Sequence, residues 1–292
     1  MKILDGKSLS SKLKDELKGN VNSYIKTPIL AVITIGDDDA SKIYVKNKKK
    51  ACEYVGISFL HFDYVYNVKE KVVIDKIKEL NKDDSINGIL LQLPIPDNYD
   101  VNKIINTIDP IKDVDGLTNI NAGKLFCGED GVIPCTPKGI MNVFDYYKID
   151  LENKNVVVVG RSNLVGKPVA MECLKRNANV TICHSYTKDL SFFTKHADIL
   201  IVATGNKWLI DKTMVKKGVV VIDVGINRVD GKLYGDVNTN VYDKTSAMTP
   251  VPGGVGPMTV IMLLRNTFEA YKKMNGINDE EWGYRKKHYK DV

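Results

Sequence analysis

Asn155-Val156-Val157-Val158-Val159-Gly160-Arg161-Ser162-Asn163-Leu164-Val165-Gly166-Lys167-Pro168 runs directly into the helix-like Val169-Ala170-Met171-Glu172-Cys173-Leu174-Lys175-Arg176-Asn177. Four consecutive valines bounded by turn residues read as a strand covered on both faces, the habit of central strands in a parallel sheet. A glycine at the strand end, a short polar turn, a second glycine and then a helix form the strand-turn-helix setting in which a helix N-terminus receives phosphate. The Gly160 to Gly166 spacing departs from GxGxxG because Ser162 stands where the second glycine would be. Taken alone the stretch therefore reads equally as a dinucleotide site or as a simple βα turn.

The same alternation extends in both directions. Downstream, strands are predicted at Asn179 to Cys183, Asp198 to Ala203 and Val219 to Val224, separated by helical patterns. Upstream, strands at Ile29 to Ile35, Ile57 to Tyr64 and Gly88 to Leu93 alternate with helices near Ala40 to Tyr54 and Lys69 to Asn81. Apolar runs alternating with 3.6-residue periodicity imply parallel βαβ units. The 292 residues, 43% of them hydrophobic, are enough for two modest α/β domains. The Gly-, Pro- and acid-rich stretch from about Gly123 to Pro137 reads as the linker, with a helix from about Pro137 to Tyr147 opening the second unit.

Composition narrows the function. The formal charge is +6, from 42 basic and 36 acidic residues, with a local cluster at Lys46, Lys48, Lys49 and Lys50. This favours small anionic ligands, and the absence of interleaved aromatics argues against nucleic acid. Five cysteines form no CxxC pair, and with four histidines they show no metal-like spacing, so no metal is expected. The N-terminus is charged where a secretory signal would be apolar, and no run of eighteen apolar residues occurs. The expectation is a cytoplasmic protein without a membrane segment.

Four further features point to chemistry. Tyr44 and Lys48 lie four apart in a helical pattern, so ring and ammonium share a face; on spacing alone they read as well as a surface tyrosine beside a solvated lysine run. Gln92 breaks the apolar strand at its carboxyl end, where α/β proteins place ligands, and a lysine head, a heterocycle edge or loop backbone would satisfy it. Asp113 and Asp115 point the same way if their segment is extended, although turn capping is the ordinary task of at least one of them. Pro250-Val251-Pro252-Gly253-Gly254-Val255-Gly256-Pro257-Met258-Thr259 has three glycines and three prolines before a helical stretch to Lys273. It reads as a rigid wall beside a ligand or as a tight turn before a terminal helix. That helix could return to the first domain; periodicity alone does not settle it. The strand after the valine run ends His184-Ser185-Tyr186, with no carboxylate to hold a ribose diol or repel a 2′-phosphate. Arg161 and Ser185 are instead available to a phosphate, which favours NADP over NAD.

Taken together, YVxxK at Tyr44 to Lys48, LLQLPIP at Leu90 to Pro96, KDVDGL at Lys112 to Leu117, PCTPKG at Pro134 to Gly139, GRSNLVGKP at Gly160 to Pro168 and PVPGGVGPMT are the carriers of a resemblance. The chain closely resembles the bifunctional methylenetetrahydrofolate dehydrogenase/methenyltetrahydrofolate cyclohydrolases, the FolD family, over about residues 1 to 274. The resemblance implies an α/β fold of two domains, an N-terminal catalytic domain completed by the C-terminal helix and a Rossmann-like NADP domain, with the cleft between them. The corresponding limits are 1–136 completed by about 257–275, then 137–256, then a charged tail at 276–292 expected to be partly mobile. It also implies a homodimer acting on tetrahydrofolate derivatives.

Carried over position by position, Tyr44 should stack on the folate ring system, Lys48 should be the cyclohydrolase acid/base group, Gln92 should orient it, and Asp115 should bind the pterin edge. Leu91, Leu93, Pro252, Gly253, Gly254, Val255, Gly256, Pro257, Met258, Thr259 and Val260 should line the folate pocket. Gly160, Arg161, Ser162, Ser185 and Ile226 match the NADP positions. Asp39 departs from a proline common in the family, and the tail has no recognised counterpart. A base role for Lys48 requires a lowered pKa, for which desolvation, Lys46, Lys49 and a cationic substrate are the expected sources. Two rival readings are a Rossmann dehydrogenase of hydroxy or keto acids, which leaves Tyr44, Lys48 and Gln92 without purpose, and a catalytically silent binding protein of the same fold.

Overall fold

The computed structural model describes residues 1–277, with the side chains at 39 and 40 set aside; the charged tail predicted at 276–292 therefore lies almost wholly outside the described residues. The first part of the chain runs β1 (Lys2–Ile3), α1 (Gly6–Val21), β2 (Ile29–Ile35), α2 (Asp39–Val55), β3 (Ser58–Tyr64), α3 (Glu70–Lys82), β4 (Gly88–Leu91), α4 (Val101–Ile105) and α5 (Asn119–Cys127). It continues with α6 (Cys135–Tyr147), β5 (Asn155–Val159), α7 (Gly166–Lys175), β6 (Asn179–Cys183), α8 (Leu190–Thr194), β7 (Ile199–Val202) and β8 (Val219–Asp223). A small hairpin of β9 (Asn227–Val229) and β10 (Lys232–Tyr234) precedes β11 (Thr245–Met248) and α9 (Val255–Met274).

Two parallel sheets result, as expected of a two-domain α/β chain. One has the order β3-β2-β4; the other has β1-β11-β8-β7-β5-β6. The valine-rich β5 and β8 are both interior strands, and Val156 to Val159 are all buried, which is why their sequence does not alternate. The antiparallel β9/β10 pair turns through Asp230 and Gly231, both at positive φ, the geometry that a two-residue Asp-Gly hairpin loop requires.

Three details differ from the sequence reading. The Gly123 to Pro137 stretch is not all linker: Thr118 caps α5 by accepting from the Asn121 N–H, Gly128 closes it at φ 74°, and α6 already begins at Cys135. β4 ends at Leu91, so Gln92 sits just past the strand, although its N–H still reaches Ile33 O at 2.9 Å. The two-residue β1 joins the larger sheet beside β11, so the chain start contributes to the second sheet.

Helix α9 fastens the architecture. It packs on α1 and α6 and touches α2 and β4, returning to the first domain as the resemblance implies. Its Asn266 Nδ2 donates to Val114 O and Ile133 O, while Lys138 of α6 donates to Asn266 Oδ1 and pairs with Glu269. Met262, Leu264 and Phe268 of α9, Leu17 of α1, Phe144 of α6 and Val158 of β5 belong to one buried cluster that spans both sheets. The angle between the domains, and hence the width of the cleft, is held by apolar packing.

Candidate active site

The cleft holds a cavity of about 380 Å3, within the range of small-molecule sites. One side is lined by Tyr44 and Lys48 of α2, Leu90 to Leu93 at the end of β4, Asp115, and Cys135 and Thr136 at the start of α6. The opposite side brings Leu164 and Val165 from the β5–α7 turn, Ala203 and Gly205 after β7, and Val224, Gly225 and Ile226 after β8. Val255, Gly256, Thr259, Val260 and Leu263 of α9 form the remaining wall. Contributions from the carboxyl ends of strands in both sheets match the place where open α/β sheets bind ligands.

At its centre, Lys48 Nζ donates to Gln92 Oε1 at 2.8 Å, and Gln92 Nε2 donates to Leu93 O at 2.7 Å. A lysine has only donors, so it dictates which end of the amide faces it. Gln92, almost completely buried, is satisfied by both the lysine head and loop backbone. Desolvation holds the Lys48 ammonium below the usual lysine range, against the pull of Asp115. Desolvation also raises the Asp115 carboxyl above the usual range, and Lys48 opposes this. Lys46 and Lys49 are not the cause: they face a separate cavity with Thr34, His61 and Asp63, on another side of α2.

The motif that carries Asp115 divides its labour. Its residues turn rather than extend, and the two aspartates part company. Asp113 accepts from the N–H groups of Leu117 and Thr118 and from Asn121 Nδ2, and so builds the turn. Lys112 Nζ donates to the carbonyls of Leu80, Asn81 and Asp83, closing the C-terminus of α3 where a cation suits the helix end. These two residues hold Asp115 at the cavity. Burial and the neighbouring Asp115 carboxylate push the Cys135 thiol far above its usual range, so it is a packing group in its reduced, neutral form.

The glycine-rich segment splits in the same way. Val255, Gly256, Thr259 and Val260 reach the cavity, and Thr259 Oγ1 lies 2.9 Å from Thr136 Oγ1. Pro252, Gly253, Gly254 and Pro257 are not among the lining residues, and the Met258 side chain is fully buried in the core. Gly254 is required by packing: a Cβ there would meet Pro250 O at 2.6 Å and Thr249 Cβ at 2.8 Å.

The cofactor-side candidates sit at the mouth. Gly160, at φ 131°, passes so close to the Ala203 carbonyl that a side chain has no room. Ser162 Oγ accepts from the Val165 N–H at 3.1 Å and helps build the turn before α7. Arg161 lies over the Tyr186 ring at 5.4 Å, beside exposed Ser185. Of this group only Ile226 lines the cavity itself. The Arg161 guanidinium, which reaches from the end of β5 over Tyr186, and the Ser185 hydroxyl at the end of β6, where an acidic residue would repel a 2′-phosphate, fit NADP.

Residues 4–115 match the model of the tetrahydrofolate dehydrogenase/cyclohydrolase catalytic domain, and residues 134–275 match that of its NAD(P)-binding domain. This chain belongs to the tetrahydrofolate dehydrogenase/cyclohydrolase family. Among its relatives in that family is the bifunctional protein FolD of Hydrogenobaculum sp., 52% identical over 276 residues, covering 94% of this chain and 99% of the relative. The crystal structure of the bifunctional FolD dehydrogenase/cyclohydrolase from Campylobacter jejuni superposes with a TM-score of 0.92 at 48% identity, covering 94% of this chain and 99% of that one. The Trypanosoma brucei FolD structure, complexed with NADP cofactor and inhibitor, gives a TM-score of 0.89 at 32% identity, with 93% and 97% covered.

The family's cleft includes groups that the sequence reading did not single out: Leu90, Cys135, Thr136, Leu164, Val165, Ala203, Gly205, Val224, Gly225 and Leu263. PCTPKG was visible as a motif, and its Cys135 and Thr136 reach the cavity because they open α6 beside Asp115. Leu90 lay inside LLQLPIP and Leu164 and Val165 inside GRSNLVGKP, whereas Ala203, Val224 and Leu263 carried no signal separable from ordinary core.

Proposed function

We propose that the single cleft serves two consecutive reactions and that its side chains divide the work between them. The chain is a bifunctional enzyme: NADP-dependent oxidation of 5,10-methylenetetrahydrofolate to 5,10-methenyltetrahydrofolate, then hydrolysis to 10-formyltetrahydrofolate. When bound, NADP supplies the acceptor for the hydride that leaves the methylene carbon. That first step needs orientation more than a side-chain base. Tyr44 offers a flat face to the folate, Asp115 a carboxyl to the N–H edge of the pterin, and the α9 wall a rigid backing. On the cofactor side, Arg161 and Ser185 take the 2′-phosphate, while Gly160 and Ser162 shape the turn that faces the pyrophosphate.

Hydrolysis is the proton-transfer step. Water adds to the electrophilic methenyl carbon, loses a proton, and the carbon–nitrogen bond that closes the ring breaks as that nitrogen gains one. Lys48 is the group for both transfers, because desolvation brings its amine form within reach and Gln92 aims the nitrogen. The observation that carries this assignment is the Lys48–Gln92 hydrogen bond inside the cavity.

The domain limits we propose are 1–136 completed by 257–275 for the catalytic unit and 137–256 for the cofactor unit, with β1 reaching across. A homodimer is the proposed assembly, supported by the outer edge of β3, unpaired among the described residues, with exposed Leu60; the cytoplasm is the proposed location. Among the described residues no helix is long and apolar enough to cross a membrane. The test of function is an absorbance assay with methylenetetrahydrofolate plus NADP or NAD, following reduced nicotinamide and the methenyl compound together. Formation of both with NADP, followed by decay of the methenyl band, supports the reading; no NADPH formation refutes it.

A further inference from the structure

Two fully buried carboxylates, outside the groups assigned above, stand directly behind the cofactor side of the cleft. Asp223 is the last residue of β8, and Asp236 follows β10 two residues after Tyr234. Among the described residues neither is paired with a lysine, arginine or histidine. Their oxygens are met by hydrogen-bond donors instead, the condition for keeping such groups inside a protein. Asp236 Oδ2 accepts from the Thr204 N–H at 2.6 Å, the Thr204 hydroxyl at 2.9 Å and the Gly205 N–H at 3.0 Å. Its Oδ1 accepts from Asn227 Nδ2 at 2.9 Å. Asp223 accepts from the N–H groups of Gly225, Asp236 and Val237, each at 3.0 Å.

These donors are not scattered. Thr204 and Gly205 belong to the loop leaving β7, Gly225 to the loop leaving β8, and Asn227 opens β9 directly after it, where β7 and β8 are adjacent parallel strands in register at Val202 and Asp223. The same two loops present Ala203, Gly205, Val224, Gly225 and Ile226 to the cavity. Gly225 itself lies against the Asp236 carboxylate, and Gly235 against that of Asp223, with no space for a side chain at either. Asp223 is further tied through its N–H to Thr249 Oγ1 at 2.8 Å, immediately before the glycine-rich segment that leads into α9. Neither aspartate lines the cavity.

We infer that Asp236, braced by Asp223, is a positioning residue for hydride transfer: Asp236 holds the Thr204–Gly205 backbone and the Asn227 side chain, Asp223 holds the Gly225 backbone, and together they make one rigid surface against which the cofactor ring is held. Neither side chain touches cofactor or folate. Hydride transfer depends on the two reacting carbons being held at short range, so loosening this surface penalises the oxidation. Hydrolysis depends on Lys48, Gln92 and Asp115, which come from the other sheet and the adjoining segments, and it is spared.

The inference rests on the two-activity reading above, and the two activities make its test. Asp236→Ala and Asp236→Asn are assayed for NADP-dependent oxidation of methylenetetrahydrofolate and, separately and without cofactor, for hydrolysis of supplied methenyltetrahydrofolate. Asp236→Ala is expected to raise KM for NADP about 10-fold and lower dehydrogenase kcat/KM about 100-fold, with hydrolysis within about twofold of wild type. Asp236→Asn, which keeps one acceptor oxygen, recovers part of the loss. Equal losses in both activities by a folded Asp236→Ala protein, or no loss in either, overturn the inference. If Asp236→Ala does not fold, Thr204→Val decides, since it removes the hydroxyl, which donates to Asp236 and accepts from the Asn206 N–H, and leaves the two backbone N–H bonds to Asp236 in place: a selective dehydrogenase loss of about 3-fold or more supports the inference and an unchanged ratio of the two activities overturns it. Wild-type protein lacking both activities would instead refute the functional reading itself.

Discussion

Replacing Gln92 by leucine removes the amide oxygen that accepts from the Lys48 ammonium while keeping a side chain of similar size in a nearly sealed position. A hydrogen bond to a charged group contributes about 1.5–3 kcal/mol. At about 1.4 kcal/mol per factor of ten, that corresponds to a loss of about 10- to 150-fold in a step that uses the lysine in its aimed position. The direction of the pH effect also follows. The amide oxygen stabilises the ammonium form, so its removal lowers the Lys48 pKa beyond the depression that desolvation already produces. The rising limb of the hydrolysis profile, which reports conversion of ammonium to amine as pH increases, therefore moves to lower pH while its plateau falls. The assay is the decay of methenyltetrahydrofolate absorbance across pH in the wild type and Gln92→Leu, with oxidation of methylenetetrahydrofolate by NADP as the control. A plateau within twofold of wild type, or a limb displaced to higher pH, refutes the reasoning that Gln92 orients and charges Lys48.

Arg161→Ala raises KM for NADP by about 10-fold or more and leaves KM for NAD nearly unchanged, as expected for a cation facing a 2′-phosphate; steady-state kinetics with both cofactors check it. Tyr44→Ala, which deletes an exposed ring at the cleft, raises folate KM about 10-fold through lost stacking, measured in either reaction. Lys112→Met strips the carbonyls of Leu80, Asn81 and Asp83 at the end of α3 of a shared donor, and while Asp83 O keeps the Ile86 N–H, the buried Leu80 acceptor loses its partner, destabilising the fold by about 1–3 kcal/mol; denaturant unfolding reads this directly.

How much of this was legible in the sequence depended on whether one local rule acted alone. The valine runs of β5 and β8 are recognisable because interior parallel strands show continuous apolar runs whatever their neighbours. For Asp113 and Asp115 the sequence left two readings open, and turn capping by one of them is what occurs: Asp113 takes two backbone N–H groups and bends the segment, so the alternation that would align the pair does not apply. In α5 the Thr118 cap and the Gly128 stop were both present, yet glycine and acidic residues around them have the composition of a linker. β1 has two residues and no periodicity to detect, and it exists only because β11 offers an edge. For the site, Lys48 and Gln92 were legible as candidates and meet in the cavity; of the expected sources of a lowered lysine pKa, desolvation is the one that acts, while Lys46 and Lys49 face another cavity. Asp223 and Asp236 carry no signal of their own in the sequence, since only the folded chain brings the loops after β7 and β8 onto their oxygens.

The most direct test of the shared cleft is a Lys48→Met protein assayed for hydrolysis of methenyltetrahydrofolate alongside its folate affinity. Loss of hydrolysis by about 100-fold or more with folate still bound is the predicted result for a general acid/base group. Near-normal hydrolysis in that protein would contradict the assignment of Lys48 and, with it, the division of labour proposed for the cavity.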